Sequence, residues 1–116
     1  MQLDERVIGD VVVVVVNGDI TLNHGGDAQL KDKVRSLMER GHRKLVVDLA
    51  GVSYVDSAGL GELVQAHATI KTKGGSLKLT RPAKRLKDLL TITRLITVFE
   101  CYDREVDAID SFSATV

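Results

Sequence analysis

Hydrophobic and polar positions along this 116-residue chain fall into short apolar runs punctuated by turn residues. Leu3 to Ile8 reads as a strand, Gly9-Asp10 as a turn and Val11 to Val16 as a second strand. Six consecutive valines are β-branched and favour a strand over a helix. Their unbroken hydrophobicity predicts cover on both faces, hence a central position. The short link makes this first pair an antiparallel hairpin. Asn17-Gly18-Asp19 ends the strand, and Ile20 to Gly26 reads as a loop. From about Asp27 to Arg40, Leu30, Val34, Leu37 and Met38 recur at i, i+4, i+7 and i+8, which predicts a helix stopped by Gly41.

Lys44 to Leu49 is a third buried strand, and Ala50 to Val55 a loop. A helix-like run follows from Leu60 to Lys71, with Leu60, Leu63, Val64 and Ile70 on one side and Glu62, Gln65 and Lys71 elsewhere; Gly74-Gly75 ends it. Ser76 to Thr80 alternates as a fourth strand. Pro82 suits the first turn of a third helix, running to about Leu90 with Leu86, Leu89 and Leu90 inward. Ile96 to Tyr102 is a fifth strand, and Asp103 caps a last helix from Arg104 to about Ser111, with Val106, Ala108 and Ile109 apolar. The order β-β-α-β-α-β-α-β-α predicts an α/β fold with a mixed five-stranded sheet and four helices, a single domain over 1–116.

Composition narrows the function classes. Apolar residues make up 44% and charged residues 28%, ordinary for a globular domain, and only four aromatics are present. No apolar run approaches the ~20 residues a membrane helix needs, and the N-terminus lacks a signal-peptide pattern. The single cysteine, Cys101, forms no internal disulfide or CxxC pair and is expected in the core. Together these predict a cytoplasmic protein with no membrane partner. Net charge is zero but uneven. Residues 71–94 hold eight bases and one acid, flanked by acidic segments. The block lacks interleaved aromatics, which argues against nucleic acid and for a solvated face opposite the acidic last helix.

The chemistry-bearing stretch is Val55-Asp56-Ser57-Ala58-Gly59-Leu60-Gly61, between the third strand and its following helix. A helix start collects unpaired N–H groups and the positive end of the dipole. Nucleotide-binding motifs fail: there is no GxxxxGK[ST], and Val64 stands where GxGxxG needs its last glycine. The strand-to-helix setting resembles a nucleophile elbow, but Val55 replaces the first glycine of GxSxG. No base is evident either. His67 lies ten residues along the same helix, roughly 15 Å away at 1.5 Å per residue. His42 is expected at the far end of a strand, and His24 in a loop. The histidines are too scattered for a metal site, and surface or helix-end places are expected for them. Asp48 is expected to hold its loop by hydrogen bonds. Ser57 and Asp56 are thus either helix caps or parts of a surface that another protein docks on or modifies. Gly59 and Gly61 favour the second, because each costs the helix ~1 kcal/mol relative to alanine.

These residues carry a family resemblance. Leu45-Val46-Val47-Asp48-Leu49, then Val52, then Val55 to Gly61, resembles the bacterial anti-sigma factor antagonists, single STAS domains whose fold is shared with sulphate-transporter tails. Gly18-Asp19-Ile20 and Val98 to Asp103 with Asp107-Ala108 are similar to further family segments, so the likeness spans nearly the whole chain. The resemblance implies a non-enzymatic regulator without a cofactor of its own, a monomer or weak dimer. Its implied partner is an anti-sigma factor that is also a serine kinase and brings its own ATP and magnesium. Phosphorylation switches binding off, and a serine phosphatase restores it. The match makes Ser57 the acceptor, within a docking surface of Asp19, Thr21, Asp56, Ser57, Ala58, Gly59, Leu60 and Gly61. Two positions depart from the pattern. Many relatives have Ser or Thr at both places after the aspartate, where this chain has Ala58 second. Relatives often have aspartate where Thr21 stands. These departures motivate an alternative, a non-switching STAS subunit of a signalling or transport assembly.

Overall fold

The computed structural model describes residues 2–21 and 29–112. Its five strands are β1 (Gln2–Ile8), β2 (Val11–Asn17), β3 (Lys44–Gly51), β4 (Ser76–Thr80) and β5 (Glu100–Tyr102). They lie side by side in chain order. β1 pairs antiparallel with β2, and every later pair is parallel, as the hairpin and crossover reading predicts. The helices are α1 (Gln29–Glu39), α2 (Ser57–Thr72), α3 (Lys84–Ile92) and α4 (Glu105–Ser111). The expected start of the first helix near Asp27, like His24, falls outside the described residues. Its end is as read: Gly41 takes φ +91°, and the His42 N–H donates to the Leu37 carbonyl.

The valine run is central because the pleat sends its side chains both ways. Val12, Val14 and Val16 join Leu45, Val47, Leu49, Leu77 and Leu79 in the main core, with Leu30, Val34, Leu37, Met38, Leu63, Ile70 and Leu90 from the helices. Val11, Val13 and Val46 face the other way and meet Ala108 of α4, with Ile109 and Phe112 packed beside them. The same alternation puts Asp48, Lys78 and Thr80 on the α4 side, all buried. Each charge there is paired. Lys78 Nζ donates to Ser111 Oγ at 2.6 Å, bridges Glu100 at 3.0 Å and lies 4.3 Å from the Phe112 ring centre. Asp48 accepts from the Ala50 N–H at 3.0 Å, which holds the loop as expected, and pairs with the Arg81 guanidinium.

Several expectations shift on structural grounds. Ile96 to Tyr102 is not one strand. Arg94 turns left-handed (φ 62°), Leu95–Thr97 form a 3₁₀ turn, and only Glu100–Tyr102 pair with β4. The aliphatics Leu95 and Ile96 pack on the core from the turn instead. Pro82 precedes α3 by two residues, because the Arg81 N–H first donates to the Tyr102 carbonyl and prolongs the sheet contact. α4 begins at Glu105 with Arg104 at its cap, Asp103 pairs with Lys87, and Val106 is exposed. The basic block therefore meets acids on several elements, while Glu105 of α4 takes Arg6 from β1. His67 packs on Phe99 at 5.1 Å between ring centres, and Cys101 is half-buried, where burial pushes its thiol pKa up.

Glu62 is the clearest reversal. It lies on the inward side of α2, buried, and its Oε1 accepts from the Leu30 N–H at 2.6 Å. That amide belongs to the first turn of α1, where no carbonyl inside the helix is available. A carboxylate from one helix thereby caps the start of the next. Glu62→Ala should cost about 1–3 kcal/mol in urea unfolding, and Glu62→Gln, which keeps an acceptor, distinctly less. Asp48 supplies a pH signature. Burial tends to raise its pKa, but the Arg81 guanidinium and Ala50 amide outweigh this and hold it below the ordinary 3.8. Its contribution is complete above the unfolded value and disappears as pH falls through the lower folded value. The stability gap between wild type and Asp48→Asn should therefore narrow from about pH 5 to pH 3 in the same assay.

Candidate functional site

The site is built where the chain leaves β2 and β3 at their carboxyl ends. Gly18 turns with φ +96°, and the segment beyond it is laced to the β3–α2 loop. The Gly18 N–H donates to the Gly51 carbonyl and the Ile20 N–H to the Tyr54 carbonyl, both at 3.0 Å. The Asp56 N–H returns to the Ile20 carbonyl at 3.3 Å, and Ile20 and Val55 form a parallel bridge. Ser53 Oγ donates to Asp19 Oδ1 at 3.0 Å. Ile20 itself is fully buried in the main core and pins the segment.

Onto this lacing α2 docks by its first turn. Asp56 is the cap: its backbone is extended (φ −89°, ψ −179°), its Oδ1 accepts from the Gly59 N–H at 2.7 Å, and its carbonyl accepts from the Leu60 N–H at 2.8 Å. The helix thus starts at Ser57, three residues before the apolar run that announced it. Gly59 is buried, and a Cβ there would sit 1.8 Å from the Ile20 carbonyl oxygen and 2.7 Å from its carbon. Only glycine admits that approach. Gly61 is the opposite case. It is exposed, with nothing within 4 Å of a would-be Cβ, so no contact inside the described residues requires it.

The eight residues singled out in the sequence are distributed unevenly. Asp56 and Asp19 are half-buried, each with its carboxylate engaged by a neighbour. Ser57, Ala58 and Gly61 are exposed. Thr21, Gly59 and Leu60 are buried and shape the surface from beneath. The Ser57 hydroxyl makes no hydrogen bond among the described residues, because Asp56 has taken the capping role. The Thr21 hydroxyl is buried without a partner there. Among the described residues no imidazole approaches Ser57: His67 is a helix away against Phe99, and burial holds its pKa below the ordinary value. His42 follows α1 at the other end of β3. No cluster of three metal-ligating side chains exists among the described residues, and no helix is long and apolar enough to cross a membrane. An exposed hydroxyl that has neither a hydrogen-bond partner nor an imidazole beside it among the described residues is suited to being acted upon.

Two structural roles escaped the sequence reading. Ile20 was read within a loop and as part of the family-like Gly18-Asp19-Ile20 segment, but not as the buried anchor it is. Tyr54 is 48% exposed beside the site, and its rarity as an aromatic in a loop was the available signal.

Comparison with known proteins agrees with this geometry. The family described as "Mlab, STAS domain" matches residues 4–100. The anti-sigma-B factor antagonist of Bacillus subtilis is 38% identical over 88 residues, covering 71% of this chain and 80% of that protein. An anti-sigma factor antagonist from Mycobacterium paratuberculosis superposes with a TM-score of 0.77 at 21% identity, over 95% of this chain and 92% of that one. The Bacillus cell fate determinant SpoIIAA, solved in its phosphorylated form, gives 0.72 at 18% identity, over 96% and 99%. The mixed sheet with its single antiparallel pair is accordingly that of a STAS domain, and the chain belongs to the anti-sigma factor antagonist family of non-enzymatic regulators.

Proposed function

We propose that this protein binds an anti-sigma factor that is also a serine kinase, and that phosphorylation of Ser57 ends the binding. The observation that carries the reading is the Ser57 hydroxyl, exposed on the first turn of α2 and without a hydrogen bond among the described residues, Asp56 being the cap. In the unmodified state the kinase docks over Ser57, Ala58 and Gly61, framed by Asp19 and Asp56, and sigma factor is released. The kinase uses its own ATP and magnesium. The Ser57 oxygen takes the γ-phosphoryl group, its proton passes to a base on the kinase, and ADP leaves. A separate phosphatase returns the hydroxyl by hydrolysis.

Electrostatics supports a change in docking rather than in fold. The phosphate adds about −1.5 to −2 charge. The helix start favours it by ~0.3–1 kcal/mol. Asp56 opposes it by ~3 kcal/mol per unit charge at ~5 Å and an effective dielectric of ~20, less after salt screening. A partner that excludes water from this surface restores the full cost of the added charge, so the complex suffers more than the free domain. A second reading, a STAS subunit that binds without switching, is favoured by the neutral Thr21 and by Ala58.

Incubation with the purified kinase-type anti-sigma factor from the same genome and ATP should place one phosphate on Ser57, read by peptide mass mapping. Ser57→Ala should take none, and Ser57→Asp should bind at least about tenfold more weakly. Absence of phosphate together with unchanged binding by Ser57→Asp selects the second reading. The two glycines separate fold from docking. Gly61→Ala should raise unfolding stability by about 0.5–1 kcal/mol while weakening partner binding. Gly59→Ala should instead destabilise by roughly 1–3 kcal/mol or more through its overlap with Ile20.

A further inference from the structure

A cavity of about 170 Å³ opens between the β3–α2 loop and α3. Val52, Tyr54 and Val55 wall one side, Ala83, Leu86 and Leu89 the other, and exposed Arg85 also lines it. Ligand pockets for small molecules run to roughly 300–1,000 Å³, whereas ~150 Å³ of apolar space takes one benzene-sized group. The space therefore suits a single side chain. Its loop wall leads directly into Asp56 and Ser57, so it continues the surface proposed above.

The charge around it is one-sided. Arg81 is paired with Asp48 and Lys87 with Asp103, but Lys84 and Arg85 meet no acid within ion-pair distance among the described residues. The lone acid of α3, Asp88, reaches neither. Both cations sit in the first turn of α3, where the helix dipole is already positive, the cap residue Ala83 makes no side-chain hydrogen bond and no acidic residue is present. Within the free domain this arrangement is unfavourable. An acidic group from outside would relieve it.

We propose that this pocket receives one large apolar side chain from an acidic segment of the anti-sigma factor, with the flanking acid over Lys84 and Arg85. The inference rests on the proposed function and extends its docking surface from Ser57 to α3. An apolar anchor buried beside a charged rim is the usual distribution of binding energy and orientation at an interface.

The test is calorimetric titration of the kinase-type anti-sigma factor from the same genome into the full chain. Ala83→Leu fills the pocket without changing charge, and Tyr54→Ala removes an exposed wall if the first variant folds poorly. Each should weaken binding by about tenfold or more. Lys84→Glu with Arg85→Glu should weaken it as well and flatten its salt dependence. Phosphate mapping on Ser57 reads the parent proposal separately. Wild-type binding and Ser57 phosphorylation with all these variants within about twofold of wild type would overturn the pocket assignment alone. Failure of wild type to bind would remove both. Dodecanoate titrated into ¹⁵N-labelled protein covers a free anionic amphiphile. Saturable shifts at Tyr54, Ala83 and Leu89 at micromolar concentration, with the variants binding the anti-sigma factor normally, would give the pocket to that occupant and overturn the proposal.

Discussion

The Ile20 carbonyl oxygen lies where a side chain on residue 59 would have to be. This contact between one backbone and another sets the geometry of the site. It lets α2 start directly against the segment that leaves β2, and it brings Asp19 and Asp56 into one small surface. With the helix seated there, Asp56 reaches the Gly59 N–H and becomes the cap. The capping requirement is thus met one residue before Ser57, and the serine hydroxyl is left for other use. A larger residue at 59 would part the two loops, and the cap, the exposure of Ser57 and the pocket wall at Tyr54 would move with them.

The frame behind this surface is stiff for a reason visible in the strands. Two layers of aliphatic side chains meet on opposite faces of the same valine strand, one under α1, α2 and α3 and a smaller one under α4. The α4 face is completed with charge rather than bulk, through Lys78 and the Asp48–Arg81 pair. Glu62 ties α2 to the start of α1 from the core side. A charge placed on Ser57, as proposed, would act on what approaches this surface more than on the scaffold beneath it.

Much of this was legible in the residues. The valine run announces a central strand, Gly9-Asp10 a hairpin, and the periodicity of Leu30, Val34, Leu37 and Met38 a helix whose buried face is as read. Asp56-Ser57 announces a helix start, although which of the two caps depends on backbone angles that composition does not specify. Other features depend on tertiary contacts. Ile96 and Val98 have strand propensity, but the short β4–β5 pairing leaves them in or beside a turn. Glu62 has the look of a surface residue and is buried because an orphan amide on α1 faces it. Gly59 and Gly61 are indistinguishable in sequence, yet one is packed against a carbonyl and the other faces open space.

Phosphate on Ser57 is proposed to change a surface and leave the fold in place. Amide ¹H–¹⁵N spectra of the unmodified protein and of its Ser57-phosphorylated form, made with the kinase-type anti-sigma factor, test this most directly. Shifts confined to residues 18–21 and 53–61 are expected, with the amides of β3, β4 and α4 unmoved. Shifts spread through the sheet, or loss of dispersed signals, would contradict it.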